Sequence, residues 1–257
     1  MDLIGVSEIR VATTRADLAF APGDRYLGGG TWLYSETQEG FDTLVDLTSL
    51  GWQPVTETDA GLSIAATCTI RELAALKQSP LFWQCANSLL ASFKIWNVAT
   101  VGGNIALSLP AGPMTTLAVT LDATLVLWTA TGERRMPASE FVFDVQSNAL
   151  EPGEVLRSIE ITREALDGRT GFRRIALSTL GRTGALVTAR VGDDITFTVT
   201  GGTSRPVQLR FDRMPSAPAL EAAVADIDCW YDDPHGAPDW RRAMSILFAE
   251  ELRAELS

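Results

Sequence analysis

The chain has 257 residues, of which 46% are hydrophobic and 21% charged, so it has the composition of a globular protein with room for one large or two modest domains. Its formal charge of −11 argues against nucleic-acid binding, which requires clustered lysine and arginine. No uncharged apolar run approaches the roughly 18 residues of a membrane helix, and Asp2 occupies a position where a signal peptide is basic. We therefore expect a cytoplasmic protein that binds neither nucleic acid nor membrane.

Metal-ligating residues are scarce. The three cysteines, Cys68, Cys85 and Cys229, are far apart in the sequence, and His235 is the single histidine. Iron–sulfur clusters need four thiolates or their histidine substitutes, and zinc sites need a similar group of ligands. We therefore expect no metal in this chain and interpret the cysteines as small, buried hydrophobic residues.

In the first two thirds of the chain, short elements alternate with glycine-containing turns. Apolar alternation and capping residues indicate these elements. They predict a short helix at 15–18, strands at 44–47 and 62–66, and a helix from the Thr69/Glu72 capping box to about Lys77. A second helix begins at Ser79 and Pro80 and contains Leu89 and Leu90, and it is followed by a helix at 114–121, a hairpin of 124–129 with 134–137, and a strand at 155–161.

The last third of the chain has a different pattern. It predicts antiparallel strands at 172–177, 195–200 and 207–211, followed by helices at 218–225 and 239–256. The final helix has an apolar stripe, interpreted as a core or partner-facing surface, made of Trp240, Met244, Leu247, Phe248 and Leu252.

Two glycine clusters are the most informative feature. They are Gly-Gly-Gly-Thr at 28–31 and Thr-Val-Gly-Gly-Asn at 100–104. Glycine turns with bare N–H groups can wrap a diphosphate, and the side chains of Thr31, Thr100 and Asn104 can add hydrogen bonds. We expect Gly102 and Gly103 to have positive φ angles. Two ordinary turns are the alternative interpretation, and the similar string at 201–203 is best explained as a strand connection.

With these clusters, the hairpin and the 151–156 segment in this order, the chain resembles the FAD-binding subunit of molybdenum hydroxylases. This family includes the medium subunit of carbon monoxide dehydrogenase-like enzymes and the flavin domain of xanthine dehydrogenase. Residues 97–106 are similar to its N-x-A-T-I-G-G-N loop, residues 28–33 to its A-G-G-T-D-L loop, residues 154–159 to its G-E-x-L-x-x-I strand, residues 172–174 to its aromatic-basic segment and residues 239–242 to its final helix.

The resemblance implies an α+β fold of the PCMH type. It divides the chain into an FAD-binding domain at 1–164, made of two α/β subdomains at about 1–55 and 56–164, and a small α+β C-terminal domain at 165–257. FAD would bind non-covalently with its diphosphate on the two glycine loops. Carried over by position, the residues that bind it are Leu27, Gly28, Gly29, Gly30, Thr31, Trp32, Leu33, Thr100, Val101, Gly102, Gly103 and Asn104.

Three further site residues follow from the same resemblance. Leu156 would pack against the flavin ring system, and Arg173 or Arg174 would be its basic contact. The sequence also departs from the family at three positions. Trp32 replaces a small or acidic residue, Trp96 replaces an arginine, and Pro113 replaces an aspartate directed at the cofactor.

The function implied by the resemblance is electron transfer. Electrons from a molybdopterin-binding large subunit would cross a [2Fe–2S] small subunit and reach FAD in this chain, with no catalytic residue required. Two alternatives are open: an assembly subunit with impaired flavin chemistry, and a free-standing flavin oxidoreductase. Flavin content and dependence on partners distinguish the three.

Overall fold

The computed structural model describes residues 3–89 and 92–257. The first sheet is parallel and three-stranded, in the order β1-β3-β2, with β1 at Glu8–Val11, β2 at Asp24–Leu27 and β3 at Thr43–Asp46. A 3₁₀ turn at Arg15–Leu18 lies where the sequence predicts a short helix. Leu18 and Val45 are buried beneath this sheet.

The second sheet is antiparallel, and its five strands have the order β4-β5-β10-β6-β7. The predicted strands and the predicted hairpin are present. The strands of this region are β4 Val55–Thr58, β5 Gly61–Ala65, β6 Thr124–Trp128, β7 Glu133–Pro137 and β10 Val155–Thr162, and a separate small hairpin is formed by β8 Val142–Asp144 and β9 Ser147–Asn148. A bulge between Leu156 and Ser158 interrupts the pairing of β10 with β6.

Five helices of the described chain pack with this second sheet. They are α1 Ile70–Ala74, α2 Pro80–Ser88, α3 Phe93–Val98, α4 Val101–Leu107 and α5 Pro113–Thr120. Side chains that alternate along the strands, such as Ile64 and Ile159, pack with helix residues such as Phe82 and Met114 into the largest core. Helices and an antiparallel sheet therefore form one layered body, and the predicted α+β class is confirmed.

The helix boundaries follow local signals closely. Thr69 and Glu72 form the predicted capping box of α1, and Ser79 Oγ accepts the Leu81 N–H at 3.3 Å to cap α2. The helix α1 ends at Ala74 and not near Lys77, and there the N–H groups of Ala75 and Leu76 donate to the carbonyls three residues back, as in a tightened last turn. Leu89 follows the last residue of α2, and the prediction for Leu90 lies outside the described residues.

The C-terminal part, connected by α6 at Arg163–Asp167, is an antiparallel sheet in the order β11-β12-β13-β14. Its strands are β11 Arg169–Ala176, β12 Thr183–Val191, β13 Ile195–Thr200 and β14 Val207–Phe211. Strand β12, in which every residue from 183 to 190 is buried, is not predicted from the sequence. A strand buried on both faces lacks the alternation that marks a half-exposed strand.

Helices α7 (Ala217–Ala225) and α8 (Pro238–Leu256) cover one face of this sheet. The predicted stripe of α8 is only partly correct, because Leu247 is 48% exposed while Arg241 is 1% exposed. Arg241 is accommodated because its guanidinium donates to the carbonyls of Gly201 and Gly236 and pairs with Asp233. These hydrogen bonds and the ion pair offset part of the cost of burying this charge.

The other face of the C-terminal sheet contacts α5 through polar side chains. Thr116 and Thr200 share a hydrogen bond of 2.8 Å, and Thr120 similarly bonds Thr188. Asp122, which follows α5, pairs with the buried Arg190. Hydroxyl pairs and the ion pairs of Asp122 with Arg190 and Arg210 therefore join α5 to the C-terminal sheet.

Two of the cysteines are buried, as expected. Burial raises the pKa of the Cys68 thiol to about 12 and raises the pKa of Cys85 further still, so both are protonated at neutral pH. Cys229 is half-buried. Within the described residues, no helix has both the length and the apolar content to span a membrane.

Candidate dinucleotide site

The first glycine loop follows β2 and turns back at Gly30. Gly30 has a φ of +70°, a conformation that favours glycine, and its carbonyl accepts the Tyr34 N–H at 2.9 Å. The N–H groups of residues 28–33 donate to no acceptor among the described residues. Backbone N–H groups require a partner, so this run of amides offers donors to an anionic ligand.

The second glycine loop forms the first turn of α4. The N–H groups of residues 101–104 all donate to protein oxygen atoms, which are Cys68 O, Ala66 O, Thr100 Oγ1 and Thr100 O. The prediction that both loops present bare N–H groups is therefore wrong for this loop. Gly102 and Gly103 are helical and neither has a positive φ, so that prediction is wrong as well. The cause is that these glycines begin a helix capped by Thr100.

The two loops lie in direct contact. A Cβ atom on Gly29 would lie 1.7 Å from the Val98 carbonyl oxygen, and one on Gly28 would lie 2.7 Å from Thr100 Oγ1. Real Cβ atoms do not approach this closely, so Gly28 and Gly29 are required for the loops to meet. The structure thus brings together the two clusters that the sequence separates by about 70 residues.

The glycines of the second loop differ from each other. A Cβ on Gly102 would lie 2.3 Å from Ala66 Cβ and 2.7 Å from Ala66 Cα, so this glycine allows α4 to pack on the end of β5. Gly103 is exposed, and a Cβ there would meet only Thr100 Oγ1, at 2.8 Å. Gly103 is therefore the exposed one of the pair, and only the Thr100 hydroxyl opposes a side chain there.

The polar side chains have unequal freedom. Thr31 is exposed, whereas Asn104 Oδ1 accepts the Met114 N–H at 3.0 Å and so caps α5. Thr100 Oγ1 accepts a hydrogen bond from Gly103, which leaves its own hydroxyl proton to donate. Trp32 is half-buried, and the half-buried Leu33 packs on the cluster that contains Leu27.

Leu156 lies on β10, immediately before the bulge. Its side chain is 4% exposed and belongs to the main core between the sheet and the helices. The carbonyl of the next residue, Arg157, accepts the Ala66 N–H at 3.0 Å, and Ala66 in turn accepts from Gly102. Two successive backbone hydrogen bonds therefore connect the residue after Leu156 to the second glycine loop. The role of Leu156 beside the flavin stays a prediction.

Arg173 and Arg174 project from opposite faces of β11, as neighbours in a strand do. Arg173 pairs with Glu251 at 2.7 Å and Glu255 at 2.6 Å on α8, and these hydrogen bonds raise its pKa. Arg174 donates to Thr183 Oγ1 at 2.7 Å and to a loop carbonyl, and burial lowers its pKa. None of their hydrogen bonds to described residues reaches a glycine loop.

Arg174 is on the side of the sheet that faces α5. Its cross-strand partner is Leu186, which shares a face of β12 with Thr188, and Thr188 bonds Thr120. Arg173 pairs instead with Val187, a member of the core beneath α8. The two arginines that the sequence leaves equivalent are thus separated by orientation.

The positions that depart from the family lie close to the loops. Trp96 is on α3, where its ring contacts Trp83 edge to face with centroids 5.3 Å apart. Pro113 is buried at the first position of α5, where a missing N–H is tolerated. Two positioning groups were not anticipated, the carbonyl of Val98 and the small side chain of Ala66. The glycines opposite them are small enough to allow close contact, but the sequence does not show which group each glycine faces.

The segment that carries the second loop has few acidic residues. Residues 61–120, which include the second loop, contain Glu72 as their single acidic residue. Its carboxylate accepts hydrogen bonds from the N–H and hydroxyl of Thr69 at 2.8 Å each. Few negative charges therefore oppose a diphosphate here.

Comparison with known proteins agrees with this geometry. Residues 9–163 match the family described as the FAD binding domain in molybdopterin dehydrogenase. The nicotinate dehydrogenase FAD-subunit of Eubacterium barkeri is 36% identical over 95 residues, which span 35% of this chain and 32% of that protein. The match thus covers about a third of the curated relative.

Solved structures share the whole fold. Carbon monoxide dehydrogenase from Hydrogenophaga pseudoflava superposes with a TM-score of 0.86 at 19% identity, covering 98% of this chain and 97% of that one. Quinoline 2-oxidoreductase from Pseudomonas putida 86 gives 0.84 at 20% identity, covering 100% and 98%. Reconstituted CO dehydrogenase from Oligotropha carboxidovorans gives 0.83 at 22% identity, covering 96% and 97%. The chain belongs to the family of FAD-binding domains of molybdopterin dehydrogenases, and FAD is its cofactor.

Proposed function

We propose that this chain is the electron-transfer subunit of a molybdenum-containing hydroxylase or dehydrogenase, passing electrons through FAD to an acceptor. The observation that carries the proposal is the contact between two glycine loops, one after β2 and one at the start of α4, of which the first presents amides without an acceptor among the described residues. Such amides bind phosphate oxygens without a charged side chain. Bound FAD supplies the two-electron and one-electron chemistry, and the protein supplies position and electrostatics.

The residues present fit a diphosphate. The N–H groups of residues 28–33 would donate to its oxygens, Thr100 would add a hydroxyl donor, and Gly103 would leave space for close approach. Leu27, Val101 and Asn104 would stabilise the conformation of the two loops. Thr31, Trp32 and Leu33 are part of the first loop. Leu156 would pack against the flavin ring system.

We assign the basic flavin contact to Arg174 in preference to Arg173. The orientation of the two side chains supports this assignment. Arg174 lies on the face of the sheet that contacts α5, whereas Arg173 lies on the other face and donates hydrogen bonds to two glutamates of α8. Arg174 has no carboxylate partner among the described residues. Its charge is therefore free to interact with a flavin.

The proposed division of the chain is an FAD-binding domain at 1–164 and a C-terminal domain at 165–257. In its support, the family match ends at residue 163 and β11 begins at Arg169. The proposed partners are a molybdopterin-binding large subunit and a [2Fe–2S] small subunit. The proposed compartment is the cytoplasm, which agrees with the free thiols Cys68, Cys85 and Cys229.

The test begins with the cofactor. The purified chain should be yellow and should release FAD on denaturation, identified by chromatography against FMN, because two facing loops fit a diphosphate better than one phosphate. The chain alone should hydroxylate no aldehyde or purine with a dye acceptor, and co-expression with the partner subunits should give turnover. Release of FMN, or no flavin after reconstitution, contradicts the assigned cofactor.

Partner dependence separates the alternatives. Turnover by the isolated chain would instead identify a free-standing flavin oxidoreductase. An active complex whose turnover survives removal of FAD would identify an assembly subunit. Either outcome is inconsistent with electron transfer through this chain.

A further inference from the structure

Three aromatic side chains lie together on α2 and α3, two of them exposed and the third, Trp96, half-buried against the main core. Trp83 is 53% exposed and Phe93 is 75% exposed, and Trp96 contacts the Trp83 ring at 5.3 Å between centroids. Phe93 and Trp96 are three residues apart on α3, so they share a face of that helix. We call Trp83, Phe93 and Trp96 the aromatic patch. Exposed aromatic clusters of this kind mark interaction sites more often than solvated surface.

The segment that carries the aromatic patch has a net charge of the opposite sign to that of the rest of the chain. Residues 61–120 contain three basic residues and one acidic residue, whereas the remainder of the chain contains 18 basic and 31 acidic residues. Lys94 is exposed on α3 beside the patch, and Arg71 reaches the same helix by donating to Asn97 Oδ1 at 2.8 Å. The patch is therefore an apolar centre with a basic margin on an acidic protein.

The aromatic patch also adjoins the cofactor site. The helix α3 that carries Phe93 and Trp96 ends at Val98, whose carbonyl touches Gly29 of the first glycine loop. The next residues, from Thr100 onward, form the second loop. A protein seated on this patch would consequently lie next to the dinucleotide site.

We propose that the aromatic patch is the docking surface for a partner subunit whose contact area has an apolar centre and a rim of aspartate and glutamate. The inference rests on the proposed function, in which the chain works within a complex. Aromatic side chains are enriched in interface centres. An acidic rim is attracted to Lys94 and Arg71 and repelled by the acidic remainder of the chain, which fixes the face used.

The same charges disfavour a second copy of this chain as the occupant. A symmetric pair of patches would place Lys94 and Arg71 of one copy near Lys94 and Arg71 of the other. Like charges facing each other across an interface oppose association. The complementary partner is therefore a different, acidic protein surface.

The experiment compares complex formation by the tagged wild-type chain, co-expressed with the molybdopterin and [2Fe–2S] subunits, with that of Phe93→Glu, Trp83→Glu and Lys94→Glu. Leu247→Glu is the matched control, because Leu247 is 48% exposed on α8 and lies outside the patch. We expect each aromatic variant to weaken partner binding by about thirtyfold. We expect Lys94→Glu to remove most of the salt dependence of association. Bound FAD per chain should be unchanged in all four variants.

The outcomes are distinct. A wild-type chain that lacks FAD or recruits neither subunit contradicts the proposed function and the docking surface with it. A wild-type complex that survives both aromatic variants with unchanged affinity overturns the docking surface alone. Weakening by Leu247→Glu alone, or self-association of the wild type that Phe93→Glu abolishes, assigns the interface elsewhere or to a second copy and also overturns the proposal.

Discussion

The carbonyl oxygen of Val98 lies 1.7 Å from the point where a Cβ atom on Gly29 would be. Gly29→Ala must therefore displace the first glycine loop from the end of α3, at a cost of about 1–3 kcal/mol for overpacking. We expect FAD affinity to fall by about tenfold or more, measured by equilibrium dialysis and by bound flavin per chain. Gly132→Ala is the control, since a Cβ there meets nothing within 4 Å. Equal affinity in the two variants would show that the loop contact does not shape the site.

Gly102 and Gly103 should respond differently to valine. A Cβ on Gly102 collides with the Ala66 backbone, so Gly102→Val should lower the free energy of unfolding by about 1–3 kcal/mol and the Tm by about 2–4 °C per kcal/mol. Gly103→Val should lower the Tm less than Gly102→Val and lose FAD, because Gly103 is exposed and its Cβ would displace only the Thr100 hydroxyl beside the loops. Thermal unfolding and flavin content measured on the same samples separate these effects. Full flavin occupancy in Gly103→Val would exclude this loop from the diphosphate site.

Asp122 joins the FAD-binding part to the C-terminal sheet through charge. Its carboxylate contacts Arg190, which is 3% exposed, and Arg210. Asp122→Asn keeps a residue that tolerates the φ of 47° at this position and removes only the charge. Breaking a buried pair costs about 3–5 kcal/mol, and we expect about 2 kcal/mol because Asp194 also holds Arg190. Urea unfolding measures the loss.

The control for this ion pair is exposed. Asp228 pairs with Arg205 at 3.0 Å, and its side chain is 81% exposed. Asp228→Asn should change the free energy of unfolding by less than about 1 kcal/mol, because surface pairs contribute little. If the two variants are equally stable, the contact between Asp122 and Arg190 does not hold the sheet in place.

The pH dependence of stability should include a contribution from Asp17. The N–H groups of Thr13 and Thr14, and then their hydroxyls, donate to its carboxylate and lower its pKa from 3.8 to about 2. A lowered folded-state pKa gives stabilisation that is fully present above the unfolded value and is lost as the pH falls through the folded value. The difference in unfolding free energy between wild type and Asp17→Asn should shrink between about pH 4 and pH 2. A constant difference over that range would contradict this assignment.

Signals carried within a few residues predicted much of the fold. The capping box of Thr69 and Glu72 and the Ser79-Pro80 pair specify helix starts, because each satisfies N–H groups of its own first turn. The hairpin strands β6 and β7 are specified in the same way by their turn and alternation. Strand β12 gave no such signal, since burial on both faces comes from α5 and α8.

The sequence alone shows two glycine clusters in the order typical of the family, and hence which residues could touch a dinucleotide. Which of their backbone groups are available depends on the tertiary structure. The amides of the second loop are consumed by Thr100 and by the end of β5, so the free donors belong to the first loop. The choice between Arg173 and Arg174 depends on which face of β11 the helix α8 covers. These outcomes depend on contacts between segments distant in sequence, and local propensity contains no information about which partner a backbone group will meet.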